Sequence, residues 1–249
     1  MSFLKKQYLT YRIKFQLYKS INWMKTIYIN LKFFPIKDAL KFPIIIFGQC
    51  SFTSLSGKFI INTPIKAGII TFGHRFEIFK KSAKSAELFM QGTWEVNGPI
   101  QIGYDFKIYI EKNAVLETGY MCTIANNSKV VCSNKITMGN HVKIGDESQL
   151  IDTNFHDLYD LSINKKVFKK GEIFMESYIS TGSRVTIMKN TKIPNYSLIA
   201  SNSVCNKDLT KYGQNNLFGG VPVKFIKNGL IRNWKEEEKD LEDYLTIKL

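Results

Sequence analysis

One histidine of this chain sits where acid–base chemistry is possible. His156 lies in the string Ile151-Asp152-Thr153-Asn154-Phe155-His156-Asp157. An imidazole titrating near neutrality is suited to take a proton from a hydroxyl. Asp152 and Asp157 are close enough in sequence to orient the ring and support its charged form, and Asn154 and Phe155 are candidates for substrate contact. The chain has two other histidines. His141, in Gly139-Asn140-His141-Val142, reads as a solvated turn residue, and His74, in Gly73-His74-Arg75, as a structural one. A metal enzyme resting on three converging histidines is not expected from these positions, and no metal is assigned. The four cysteines, Cys50, Cys122, Cys132 and Cys205, are widely spaced and form no Cys-x-x-Cys pair. They read as buried free thiols rather than zinc ligands or a disulfide framework. None lies in the segment around His156.

The elements that must position His156 are legible as a period. Aliphatic or small residues recur every six positions at Met175, Thr181, Ile187, Ile193, Ile199 and Cys205, and again at Met138, Ile144 and Leu150. A less regular tract runs through Ile102, Ile108, Ile110, Leu116, Ile124, Val130 and Ile136. Six is neither a helical period nor simple alternation. It marks a strand-plus-bend unit, three of which close one coil of a parallel β-helix with one side chain per unit pointing inward. The bends favour residues that tolerate unusual backbone angles, and Asn126-Asn127, Gly139-Asn140, Gly145-Asp146, Pro194-Asn195 and Ser201-Asn202 meet that need. The register breaks between Leu150 and Met175, so the polar segment 152–171 is expected as a loop thrown out from the scaffold. Loops on rigid solenoids are where function concentrates.

The remainder is expected to be a basic amphipathic helical segment over 1–41, a β-rich extension over 42–99, the β-helix over 100–228 and a C-terminal helix over 229–249. A helix over 3–30 follows from the stripe Leu4, Tyr8, Tyr11, Phe15, Tyr18 and Ile21 and ends before Pro35. Short β-like runs follow at Ile44–Phe47, Lys58–Asn62, Gly68–Phe72 and Phe76–Phe79. From Met1 to Lys41 there are nine Lys or Arg against the single acid Asp38, so this segment holds +8 of the net +14. Such a stretch suits anionic lipid or nucleic acid, or its apolar stripe packs on the β-helix. No nucleic-acid recognition motif accompanies it, and nucleic acid is not expected as a partner. No apolar run reaches the roughly 20 residues a membrane helix needs, and Arg12, Lys14 and Lys19 interrupt what a secretory signal would keep apolar. A cytoplasmic location is expected, with peripheral contact at an anionic membrane face.

The stretch from Ile136 to His156, the run Ile187–Leu209 and the string Gly220-Val221-Pro222-Val223-Lys224-Phe225-Ile226-Lys227 together resemble bacterial hexapeptide-repeat O-acetyltransferases. That group acts on galactosides, maltose, serine and the sugars of capsule or lipopolysaccharide. The resemblance covers roughly residues 100–228. It implies a left-handed parallel β-helix, a homotrimer, and acetyl-CoA held between neighbouring chains as co-substrate. It implies that Gly182, Ser183 and Ser201 meet the pantetheine arm, Asn206 and Lys207 the nucleotide end, and Lys224 and Lys227 the phosphates. Lysines oppose phosphate as point charges. An aromatic common one hexad before Gly182 in that group is replaced by Ser180 and Thr181, and Arg184 and Lys189 stand where neutral residues are commoner. The implied reaction is acetyl transfer to a sugar hydroxyl in a surface-polysaccharide precursor, with His156 as general base. N-acetylation of an amino sugar and a non-catalytic β-helix binding protein are the alternatives.

Overall fold

The computed structural model describes residue 12 and residues 15–74 and 86–247. Within them the chain winds as a parallel β-helix with three faces. The first face stacks Ile44–Ile46, Ile70–Phe72, Ile100–Ile102, Cys122–Ile124, Lys143–Ile144, Ser180–Thr181 and Leu198–Ile199. The second stacks Cys50–Leu55, Ala86–Met90, Lys107–Ile110, Lys129–Cys132, Gln149–Ile151, Thr186–Met188 and Val204–Cys205. The third stacks Lys58–Ile61, Thr93–Val96, Val115–Thr118, Lys135–Met138, Glu172–Met175 and Thr191–Ile193. The register keeps like beside like. On the second face Leu88, Ile108, Val130, Leu150, Ile187 and Cys205 form one inward column, each fully buried. Met138, Ile144, Ile193 and Ile199 are likewise at most 2% exposed, as their six-residue spacing requires.

The corners explain the polar half of the pattern. Many corners hold one residue in a left-handed backbone conformation, as at Asn127, His141, Glu147, Tyr178, Arg184, Tyr196 and Asn202. The residue before it often supplies the hydrogen bond that links coils. Asn140 Oδ1 accepts from Tyr120 N–H at 2.8 Å, Ser177 Oγ from Asn140 N–H at 3.0 Å, and Asn195 Oδ1 from Ser177 N–H at 2.8 Å. A short polar side chain here satisfies a backbone group that turns out of the strand ladder. All four cysteines are buried and free, and burial raises their thiols, to about 12 for Cys50 and Cys205 and about 11 for Cys122.

Two expected boundaries move. The β-helix begins at Ile44 and not near residue 100, because the strands within 44–96 supply its first two coils. The expected runs at 44–47, 58–62 and 68–72 are therefore scaffold; the run 76–79 lies outside the described residues. The expected helix over 3–30 is also interrupted. Residues 15–20 are helical, Ile21 then leaves the helix to bridge Phe47, and a new helix spans Trp23–Phe33. Asn22 caps it, its side chain accepting from Lys25 N–H at 3.2 Å while its own N–H donates to Ile46 O. Of the stripe read from the sequence, Phe15 and Tyr18 are exposed and Ile21 is buried, while Leu4, Tyr8 and Tyr11 lie outside the described residues.

Helix Trp23–Phe33 closes the open end of the solenoid. Parallel stacking leaves the first strand with unpaired backbone groups. Asn30 answers them in the manner of a strand, its Oδ1 accepting from Ile44 N–H at 3.0 Å and its Nδ2 donating to Ile44 O at 2.6 Å. Thr26 Oγ1 accepts from Ile46 N–H at 3.1 Å. At the other end of the chain the expected C-terminal helix spans Trp234–Leu245 and lies along the first face, carrying Ile247 down against Ile45 and Gly68. No helix among the described residues is long and apolar enough to cross a membrane.

Candidate active site

The chain leaves the second face after Ile151, where the sequence register breaks, and rejoins the solenoid on the third face at Glu172. The intervening segment is an arm, not an irregular loop. Leu158–Asp160 pairs antiparallel with Lys165–Val167, and its base is closed by Asn154 N–H to Lys169 O at 2.8 Å and Gly171 N–H to Asp152 O at 2.9 Å. Leu158, Leu161, Ile163 and Phe168 are exposed along it.

His156 lies just before the hairpin with its ring exposed. Neither expected acid is turned toward it. Asp152 is fully buried and accepts from Ser133 N–H at 2.7 Å and Asn134 N–H at 2.8 Å. Burial pushes this carboxyl up and those donors oppose the shift. Its work is to fasten the root of the arm to the coil below. Asp157 is exposed; it accepts from Lys169 N–H at 2.8 Å and pairs with Lys166 at 2.9 Å, and these contacts hold it below the usual carboxylate range. Both acids expected to orient the ring have other partners here: backbone amides of the preceding coil hold Asp152, and Lys169 N–H and Lys166 hold Asp157.

Phe155, at φ +64°, points from the arm's root over the second face. With Phe89, Tyr109 and Val131 it lines a cavity of about 630 Å³, edged by Gln91, Glu111 and Lys112. Phe89 and Tyr109 stack at 5.5 Å and 21°. A hydrogen bond to Glu87 keeps the Tyr109 hydroxyl protonated, raised to about 12. Glu111 meets Lys170 at 3.0 Å, and Lys170 also donates to Ser133 O. Among the expected substrate contacts Phe155 is therefore placed on a cavity wall, while Asn154 spends its backbone on the arm. The cavity floor escaped sequence reasoning, although Phe89 and Tyr109 are the outward residues between inward pairs Leu88/Met90 and Ile108/Ile110.

The expected cofactor positions divide between two corners. Gly182, Ser183 and Ser201 stack where the first face turns into the second. Ser183 N–H donates to Ser201 Oγ at 3.2 Å, and a Cβ on Gly182 would stand 2.7 Å from Ser201 N, so only glycine fits. Lys224 is paired across from Gly219, which abuts Ala200, so the closing strand Lys224–Asn228 joins beside Ser201. Lys224 and Lys227 are both exposed on it. Asn206 and Lys207 lie instead where the second face turns into the third, directly above the register column Ile151–Met188 from which the arm departs. Crossing the second face from Ser183 to Lys189 takes six residues, roughly 20 Å at a strand's rise. Within one chain the histidine and the glycine–serine corner are apart.

The other histidines serve elsewhere. His141 is 3% exposed and not solvated. It stacks on Tyr178 at 4.9 Å, and its Nε2 meets Glu238 of the C-terminal helix at 2.9 Å. The C-terminal helix covers the corner ladder, a long-range event invisible in the turn sequence. Burial lowers its pKa and Glu238 partly restores it. His74, beside Phe47, is lowered to about 4 by burial.

No family model matches this chain, and no curated protein matches it. Solved structures do resemble it. A hexapeptide-repeat-containing acetyltransferase of Vibrio cholerae O1 biovar eltor, complexed with acetyl coenzyme A, is 24% identical over 49% of this chain and 64% of its own, at a TM-score of 0.40. The matched part thus spans less than two thirds of that protein. The polySia-specific acetyltransferase NeuO is 17% identical over 81% of this chain and 97% of its own, at 0.49. AntD, an N-acyltransferase from Bacillus cereus in complex with dTDP and 3-hydroxybutyryl-CoA, is 15% identical over 85% and 96%, at 0.48.

Proposed function

We propose that this chain is an acetyl-CoA-dependent O-acetyltransferase acting on a sugar hydroxyl of a surface-polysaccharide precursor, with His156 as general base. The observation that carries the reading is the arm at 152–171. The arm leaves the regular later coils and carries exposed His156 next in sequence to Phe155, which lines an aromatic-floored cavity. The hydrophobic face of a sugar ring suits the stacked Phe89 and Tyr109, and Gln91, Glu111 and Lys112 offer partners for its hydroxyls.

In the proposed reaction His156 takes the proton of the acceptor hydroxyl as the oxygen attacks the thioester carbonyl. Backbone N–H groups stabilise the oxyanion. The C–S bond then breaks, and the departing thiolate takes the proton back from the imidazolium. The narrow Gly182–Ser201 corner suits the slender pantetheine arm, and Lys224 and Lys227 suit the coenzyme phosphates.

The same reading makes the enzyme a homotrimer. Its support is the outward column Phe89, Tyr109, Val131, Ile151 and Met188, an apolar stripe along the second face, together with the exposed apolar side chains of the arm. The separation of His156 from the Gly182 corner within one chain also favours a site completed by a neighbour. The reading places the enzyme in the cytoplasm, where activated sugars are made.

The test is release of free coenzyme thiol from acetyl-CoA across a panel of neutral and amino-sugar acceptors. Release with hydroxyl acceptors supports the reading; release with amino sugars alone, or with none, overturns it. Sedimentation showing a fully active monomer removes the trimer.

A further inference from the structure

The capping helix Trp23–Phe33 is built the reverse of an ordinary surface helix. Its inner side buries Thr26, Ile29 and Asn30, with Trp23 and Phe33 partly buried beside them, and the two polar residues are committed to the edge of the first strand. Its outer face is Met24, Ile27, Tyr28 and Leu31, at spacings of three, four and seven, exposed by 84, 44, 55 and 53%. Beyond Pro35, Ile36 and Leu40 are exposed as well, by 70 and 65%. A soluble helix places polar residues on this side, and a contiguous apolar patch of this kind marks a binding surface.

The charge around the stripe narrows the partner. Residues 15–41 hold Lys19, Lys25, Lys32, Lys37 and Lys41 against Asp38 alone, a net +4, and Asp38 is paired with Lys41 at 2.8 Å. Lys25 is turned inward to the Cys50 carbonyl; the other lysines are exposed. A second copy would bring the same positive charge to the contact, within a chain already at +14, and is disfavoured by repulsion. The stripe lies on the convex outside of a helix, so it suits a surface that deforms around it rather than a peptide needing a groove. We infer that the N-terminal cap is a membrane-docking element that lays the Met24–Leu40 stripe into an anionic bilayer interface, with the exposed lysines at the headgroups. The docked end is then the first coil, with the arm further along the same axis. This inference does not depend on the acyl-transfer reading.

The experiment is co-sedimentation of the full chain with vesicles of phosphatidylcholine alone and with phosphatidylglycerol added, at low and high salt. Binding to the anionic vesicles that weakens with salt is expected. Met24→Ser/Ile27→Ser/Leu31→Ser should weaken it at least about tenfold, and Lys32→Glu/Lys37→Glu by about fivefold or more per charge. All five positions are exposed, so the melting curve should stay put, and it serves as the folding control. Absence of binding to anionic vesicles at low salt overturns the inference. So does binding that survives the serine triple variant, or a change of oligomeric state on that substitution without any vesicle binding, which would assign the stripe to a protein contact.

Discussion

Replacing Asn30 with alanine should open the first coil of the β-helix and leave the later coils standing. The Asn30 amide makes two hydrogen bonds to Ile44, at 3.0 and 2.6 Å, and a third to Thr26 O at 2.7 Å. Ile44 is fully buried and Asn30 is 1% exposed, so water does not replace what alanine removes. Stranding a buried donor and a buried acceptor costs about 1–3 kcal/mol each, hence about 2–6 kcal/mol in all. Thr26→Val is the graded partner. It keeps the volume and strands only the Ile46 N–H, for about 1–3 kcal/mol. In a solenoid, terminal coils open separately from the rest, so the readout is native-state hydrogen exchange. The Ile44 and Ile46 amides should lose protection in both variants while Ile124 and Ile136 keep theirs. A loss at Ile44 below about 1 kcal/mol in Asn30→Ala would refute the argument that this amide stands in for a missing strand. Equal loss at Ile124 would refute its locality.

Other outcomes are expected at the site and in the pH profile. His156→Ala should lower kcat by about 10²–10⁴-fold with coenzyme affinity nearly unchanged, since none of the proposed coenzyme contacts involves the ring; a variant keeping more than about a tenth of the activity removes the general-base assignment. Asp152→Asn should lower the melting temperature as well as activity, because it weakens two buried backbone contacts, whereas Asp157→Asn should change neither strongly; the reverse order would restore Asp157 as the ring's partner. His74, whose folded pKa is about 4 against 6.5 unfolded, makes the unfolded state bind the extra proton. Stability should therefore be complete above about pH 6.5 and fall by roughly 2–3 kcal/mol toward pH 4. Chemical denaturation across that range should show the limb, and its persistence in His74→Gln would assign it to another group.

The proposed site and the proposed docking cap occupy different parts of the solenoid. The arm and its cavity lie on the second face, while the C-terminal helix covers the first, burying Lys143 enough to lower it to about 8. The outward column of the third face mixes apolar and polar side chains: Ile60, Glu95, Glu117, Thr137, Phe174 and Lys192. Among the described residues, the second face combines an apolar outward column with the exposed arm.

The sequence alone determined the coils from Met138 to Cys205, because each hexad sends one side chain inward regardless of what happens elsewhere in the chain. It also located the arm, since a break in a strict period has to be accommodated outside the stack. The earlier coils were partly legible. Leu88, Trp94, Ile100 and Phe106 step by six, as do Met90, Val96, Ile102 and Ile108, but large aromatics in the first series hide it from a search for aliphatics. What only the tertiary structure decided is how polar residues are spent. Asp152 looks like a catalytic acid in the string around His156, yet two amides of the preceding coil, Ser133 and Asn134, hold it. His141 looks like a turn residue in water, yet a helix about 100 residues downstream covers it. Asn30 falls within the expected helix, yet its side chain completes the edge of a strand. In each case the deciding partner comes from another coil or from the other end of the chain, and a hydrogen bond carries no local period by which to foresee it.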